Sequence, residues 1–177
     1  MHSKSIVPVL GIVASGSNAG KTTLITQLIP EFAKRQIRVS VIKHAHHQFD
    51  IDHKGKDSYQ IRESGAVQTL VASNQRWALM TEMTRTSDFT DEADLNTLLD
   101  QFNPNYADLI LVEGFKHARI PKIEVYRIGL DRQLLATADK DIIAIASNVQ
   151  LHESVPTFDL SNISMIADFI HSTMLKN

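Results

Sequence analysis

The chain has 177 residues, 43% of them apolar and 21% charged, with a formal net charge of -2 at pH 7. That length suits one domain with a sizeable core, and the near-neutral charge gives no electrostatic ground for nucleic acid or an anionic membrane as a partner. There is no cysteine, which excludes disulfides, thiolate metal sites and cysteine nucleophiles.

Met1-His2-Ser3-Lys4-Ser5 leads straight into the first apolar run. With no signal-peptide block and no stretch of membrane-spanning length, a cytoplasmic location is expected. Ile6 to Ala14 reads as the first strand, and Ser15-Gly16-Ser17-Asn18-Ala19-Gly20-Lys21-Thr22-Thr23 follows it. A strand, a small-residue loop and Gly-Lys-Thr opening a helix are the context a P-loop requires. Small residues let backbone N–H groups converge on an anion, and the helix start adds partial positive charge. Lys21 is expected to reach the terminal phosphates and the Thr22 hydroxyl to ligate Mg²⁺. Ser15 stands where the pattern has its first glycine, with Gly16 one place later.

Leu24, Ile25, Leu28, Ile29, Phe32 and Ala33 continue at helical spacing through Arg35. Pro30 lies inside that pattern and predicts a bend. Arg38 to Lys43 reads as the second strand. The loop from Lys43 to Ser58 carries His44, His46, His47 and His53, with Lys43, Lys54, Lys56 and Asp57 as candidates for phosphate or outer-sphere magnesium contacts. Its histidines and acids also fit a transition metal, or simply a solvated loop. A short helix from Asp57 to Glu63 stops at Gly65.

Val67 to Ala72 and Trp77 to Thr81, separated by Ser73-Asn74-Gln75-Arg76, suggest a hairpin. Leu95, Leu98, Leu99 and Phe102 define a further helix, and the continuously apolar Leu109 to Val112 is a strand buried on both faces. That strand ends in Glu113-Gly114, an acid placed to hold Mg²⁺ beside a P-loop, directly or through water. Lys116, His117 and Arg119 form a small basic cluster after it. Lys122 to Arg127 alternates and predicts a half-exposed strand, Ile142 to Ala146 an interior one, and Ile166, Phe169, Ile170 and Met174 the buried stripe of a last helix. Strands alternating with helices predict a three-layer α/β, P-loop NTPase-like fold, mostly parallel with an antiparallel edge built from the alternating segments.

Taken together, these segments closely resemble the molybdopterin-guanine dinucleotide biosynthesis protein B (MobB) family over nearly the whole chain. The residues that carry the likeness are Ser15 to Thr23, Val41 to His47, Gly55-Lys56-Asp57-Ser58-Tyr59, Gln75 to Glu82 and Asp108 to His117. The resemblance implies a GTP-binding, weakly hydrolysing homodimer that acts as an adapter to the guanylyltransferase MobA. On that reading Gly16 to Thr23 bind phosphates, Thr22 and Glu113 serve Mg²⁺, and Lys43 to Asp57 sense the nucleotide or touch the partner. No Asn-Lys-x-Asp run is present to select guanine. Asn148, ending the Ile142 to Ala146 strand region, is the candidate for a base contact, an amide without charge assistance.

No catalytic base is identified: neither a Gln directly after Glu113-Gly114 nor an evident arginine finger is present. Two other readings share the P-loop. A small-molecule kinase would hold its acceptor with Lys116 and Arg119, although no Arg-rich lid is present, and a metal-delivery GTPase would use the His-rich loop.

Overall fold

A computed structural model describes residues 7–45, 49–130 and 133–176. The chain divides into two compact units, Met1–His44 with Leu95–Asn177, and Ala45–Asp94.

The first unit is built on a six-stranded, fully parallel sheet. Its strands are β1 (Val9–Val13), β2 (Val39–Lys43), β5 (Leu109–Glu113), β6 (Lys122–Tyr126), β7 (Ile142–Ser147) and β8 (Thr157–Asp159), in the order β2-β5-β1-β6-β7-β8. Alternation along β5 shows why the layers form. Leu109 and Leu111 join Leu10, Ile12, Leu24, Leu28, Phe32, Ile166 and Ile170 on one face, whereas Ile110 and Val112 pack with Ile42 and Leu95 on the other. Helices α1 (Lys21–Lys34) and α4 (Ile163–Ile170) therefore cover one side, and the short α3 (Leu95–Leu99) covers the other. Pro30 lies inside α1 without ending it; it removes the donor that would meet the Thr26 carbonyl one turn earlier. A π-helical turn, His171–Leu175, continues α4.

Two expectations need correcting. The antiparallel strands do not edge the main sheet: both of its edge strands, β2 and β8, pair parallel to their neighbours. Nor is Lys122 to Tyr126 half exposed, because β6 lies between β1 and β7 with Lys122 through Val125 buried. Its charged side chains are tolerated because each finds partners, as buried charge must. Lys122 Nζ pairs with Asp139 at 2.6 Å and donates to the Lys116 and Ala118 carbonyls, and Glu124 accepts the Leu135 and Ala136 N–H groups. Gly11 on β1 makes room for this strand, since a Cβ there would sit 2.7 Å from Lys122 Cγ.

The second unit contains α2 (Asp57–Glu63) and the antiparallel hairpin β3 (Gln68–Ala72) and β4 (Trp77–Thr81). Gly65, at φ +109, follows α2 in the left-handed conformation that suits a helix stop. Arg62 organises this unit, pairing with Asp50 at 2.9 Å and Asp52 at 3.1 Å and lying over the Tyr59 ring. Among the described residues no helix is long and apolar enough to cross a membrane.

Candidate functional site

The carboxyl ends of β5, β1 and β6 meet at one edge of the first unit, where α1 begins. The loop from Ser15 to Gly20 turns there through two left-handed residues, Asn18 at φ 64 and Gly20 at φ +100. Such turns aim successive N–H groups into one concavity. The first turn of α1 contains no acid and its N-cap is Gly20, so the positive end of the helix dipole is left for an anion from outside. Lys21 folds back over the loop, its Nζ donating to the Gly16 carbonyl at 3.0 Å. Ala19 is buried under the loop, while Ser17, Asn18, Thr22 and Thr23 are exposed along it.

Beside the loop, β5 delivers Glu113. The Thr22 hydroxyl donates to both carboxylate oxygens, at 2.8 and 2.9 Å, and Lys43 Nζ, from the end of β2, reaches Thr22 Oγ1 at 3.1 Å and the same carboxylate at 3.2 and 3.3 Å. A hydroxyl and a carboxylate oxygen are the hard donors Mg²⁺ prefers. The Lys43 ammonium already bridges those two groups, so the local geometry suits a cation. Glu113 is 8% exposed, and this contact is well shielded on its side.

Gly114, at φ +94, follows immediately, and a Cβ there would lie 2.8 Å from that of His44. The His44 ring instead stacks on Phe115 with centroids 4.5 Å apart, and the backbone N–H of His44 donates to the Glu113 carbonyl at 2.9 Å. His44 thus packs the mouth of the site. His46 and His47 lie outside the described residues. His53 belongs to the second unit, as does Asp57, which opens α2. Among the described residues no group of three or more His, Asp or Glu side chains is arranged to hold a metal ion. The basic cluster after Gly114 is partly engaged elsewhere, since Arg119 pairs with Asp141 at 3.2 Å.

On the far side of β1, sequence reasoning does not single out Arg127, which follows β6. Its Nε donates to the Ala19 carbonyl at 3.0 Å, across a separation of 108 residues. A side chain at Gly20 would approach Arg127 Nε and Nη2 to 3.2 and 3.3 Å, so the guanidinium lies directly on the loop. Only the charge pattern of β6 could have signalled it, and that pattern reads as an exposed strand. Asn148 follows β7 on the same flank, where its Oδ1 accepts the Ile128 N–H at 3.0 Å. That oxygen therefore braces the backbone next to Arg127.

A family model described as molybdopterin guanine dinucleotide synthesis protein B matches residues 9–148. The molybdopterin-guanine dinucleotide biosynthesis adapter protein of Escherichia coli is 46% identical over 177 residues, covering 99% of this chain and 98% of that protein. Its namesake from Haemophilus influenzae is 42% identical over 166 residues, covering 94% and 89%. Among solved structures, a crystal structure of molybdopterin-guanine biosynthesis protein B superposes with a TM-score of 0.70 at 27% identity, covering 94% of this chain and 99% of the other.

Proposed function

The chain belongs to the molybdopterin guanine dinucleotide synthesis protein B family, and from that premise we propose that it is a GTP-binding adapter in molybdopterin guanine dinucleotide biosynthesis. The observation that carries the nucleotide is the loop itself: left-handed turns at Asn18 and Gly20, the start of α1, and Lys21 beside them. Ser15, Gly16, Ser17, Asn18, Ala19, Gly20, Lys21, Thr22 and Thr23 cradle the phosphates through backbone N–H groups, one ammonium and one hydroxyl. Thr22 and Glu113 hold Mg²⁺, which neutralises charge on the terminal phosphates when bound.

Hydrolysis is slow. Glu113 accepts from both Thr22 and Lys43, which supports a role in holding a cation over one in taking a proton. The adapter acts as a homodimer, in the cytoplasm, upon a MobA-like molybdopterin guanylyltransferase. The adapter role rests on the names of the two relatives, 46% and 42% identical, and the dimer and this enzyme on the family resemblance.

The test is a thermal-shift panel of GTP, GDP and ATP with and without Mg²⁺ on wild type and Lys21→Ala. GTP at ~100 times its dissociation constant should stabilise wild type by about 2.7 kcal/mol. The variant should fold normally and lose most of that gain. A Lys21→Ala protein that gains as much as wild type refutes the role given to Lys21, and no response of wild type to any nucleotide refutes the reading as a whole.

A further inference from the structure

We propose that Arg127 is the residue that receives the nucleoside half of the ligand, presenting its guanidinium to the purine while its Nε anchors the phosphate loop. The inference rests on the nucleotide-binding reading above and adds a specificity-determining residue to it.

Three observations converge on this side chain. The first is its charge environment. Arg35 and Arg62, also half-buried, each face carboxylates: Arg35 pairs with Glu31 and Asp168, and Arg62 with Asp50 and Asp52. Arg127 is half-buried too, yet among the described residues it has no carboxylate partner, and the one hydrogen bond of its side chain is to the neutral Ala19 carbonyl. A guanidinium withdrawn from water without an anion or an aromatic face is a cost that a bound ligand would relieve.

The second is its orientation. Nε and Nη2 both lie against the loop at Ala19 and Gly20, which directs that edge of the planar group inward; on this assignment Nη1 and the flat faces meet the ligand. Guanidinium faces stack on aromatic rings, and a lysine ammonium has no such plane.

The third is position along the sheet. Lys43 and Glu113 end β2 and β5, on one side of β1, whereas Arg127 and Asn148 follow β6 and β7 on the other. With the cation on Thr22 and Glu113 and the Lys43 ammonium beside them, the proposed terminal phosphates lie toward β5. A nucleotide laid along the loop then extends its nucleoside toward β6. Asn148 holds the Ile128 N–H at 3.0 Å, fixing the backbone from which Arg127 projects. This gives Asn148 a positioning role in place of direct base contact.

The test compares two probes, GTP and inorganic tripolyphosphate, by calorimetry with wild type, Arg127→Ala and Arg127→Gln. Loosening of the loop on losing the Ala19 contact weakens both probes alike and cancels in the ratio of their dissociation constants. Loss of a nucleoside contact does not cancel. Wild type should prefer GTP over tripolyphosphate, and Arg127→Ala should shrink that preference about tenfold. Arg127→Gln, which can still donate to the Ala19 carbonyl and guards against a folding defect in the smaller variant, should shrink it similarly. Circular dichroism confirms that the variant compared is folded. A preference unchanged to within about twofold in a folded variant overturns the assignment and leaves Arg127 as a loop anchor only, with the nucleotide reading intact. Wild type that binds neither probe instead removes the nucleotide reading, and this inference with it.

Discussion

The two strands that flank β1 both bury charge, and they use it in opposite ways. On β5, Glu113 is met by side chains, the Thr22 hydroxyl and the Lys43 ammonium, at the carboxyl edge of the sheet. On β6, Lys122 and Glu124 are met mainly by backbone: Lys122 by the Lys116 and Ala118 carbonyls as well as Asp139, and Glu124 by two N–H groups at Leu135 and Ala136. Burial alone does not separate these cases. The partners do, because mobile side chains can exchange a contact for a ligand, whereas backbone groups tie two segments of chain together. Glu113 thus suits the proposed site, and Lys122 and Glu124 suit scaffold.

The sharpest way to break this contrast is Lys122→Met, which keeps most of the apolar stem but removes the ammonium. Two carbonyls and the Asp139 carboxylate lose their donor. Burial alone would raise the Asp139 carboxyl, and the hydrogen bonds it accepts from the Lys122 ammonium and the Asp141 N–H keep it lowered instead. Removing one member of a buried pair typically costs about 3 kcal/mol or more. Urea unfolding should show a lower midpoint with unchanged slope, and the folded variant should still bind GTP with near wild-type affinity. A Lys122→Met protein as stable as wild type would mean that these bonds hold nothing in place.

Glu113→Gln probes the other strand and should invert the result. A Gln at this position still accepts from Thr22, so stability should change by about 1 kcal/mol at most. The contribution of Mg²⁺ to GTP affinity should fall about tenfold, since the amide lacks the charge that attracts a hard cation. Titrations with GTP in Mg²⁺ and in a chelator measure that difference directly. Equal Mg²⁺ dependence in variant and wild type would move the metal away from Glu113.

How much of this was legible follows the same division. The P-loop, β5, α2 and the hairpin are local: each is written in a short run of apolar periodicity with a turn signal beside it, and their bounds agree closely with expectation. The adjacency of Thr22 and Glu113 was also readable, because a P-loop strand and a strand ending in acid belong together in such sheets. The interior position of β6 was hidden. Alternation of Lys122, Glu124 and the apolar residues between them reports water only when the chain supplies no partner, and here the partners come from the 116–118 and 135–139 segments. Arg127 was hidden for a like reason, since its partner Ala19 is 108 residues away. The three-residue strand β8 carries too little pattern to be read at all.

A finer test of the scaffold reading uses pH. Burial raises the Glu124 carboxyl above its ordinary range, with the negative charges of Asp139 and Glu153 adding to it, while the Leu135 and Ala136 N–H groups pull the other way. The native state therefore holds this proton more tightly than the unfolded chain does. By linkage, the stability Glu124 contributes is full below the ordinary carboxyl value and declines as pH rises through the raised one. Other acids act oppositely: Asp108, beside Arg38, is lowered to about 2, so its contribution is lost only as pH falls. Glu124→Gln isolates the first effect, because subtracting its stability from that of wild type at each pH cancels Asp108 and the rest. The amide should cost about 1 kcal/mol for the weakened N–H contacts. The wild-type advantage should be largest near about pH 4 and shrink toward pH 7. An advantage that grows with pH would mean that the ionised carboxylate is the favoured form, and that the two backbone donors at Leu135 and Ala136 outweigh burial.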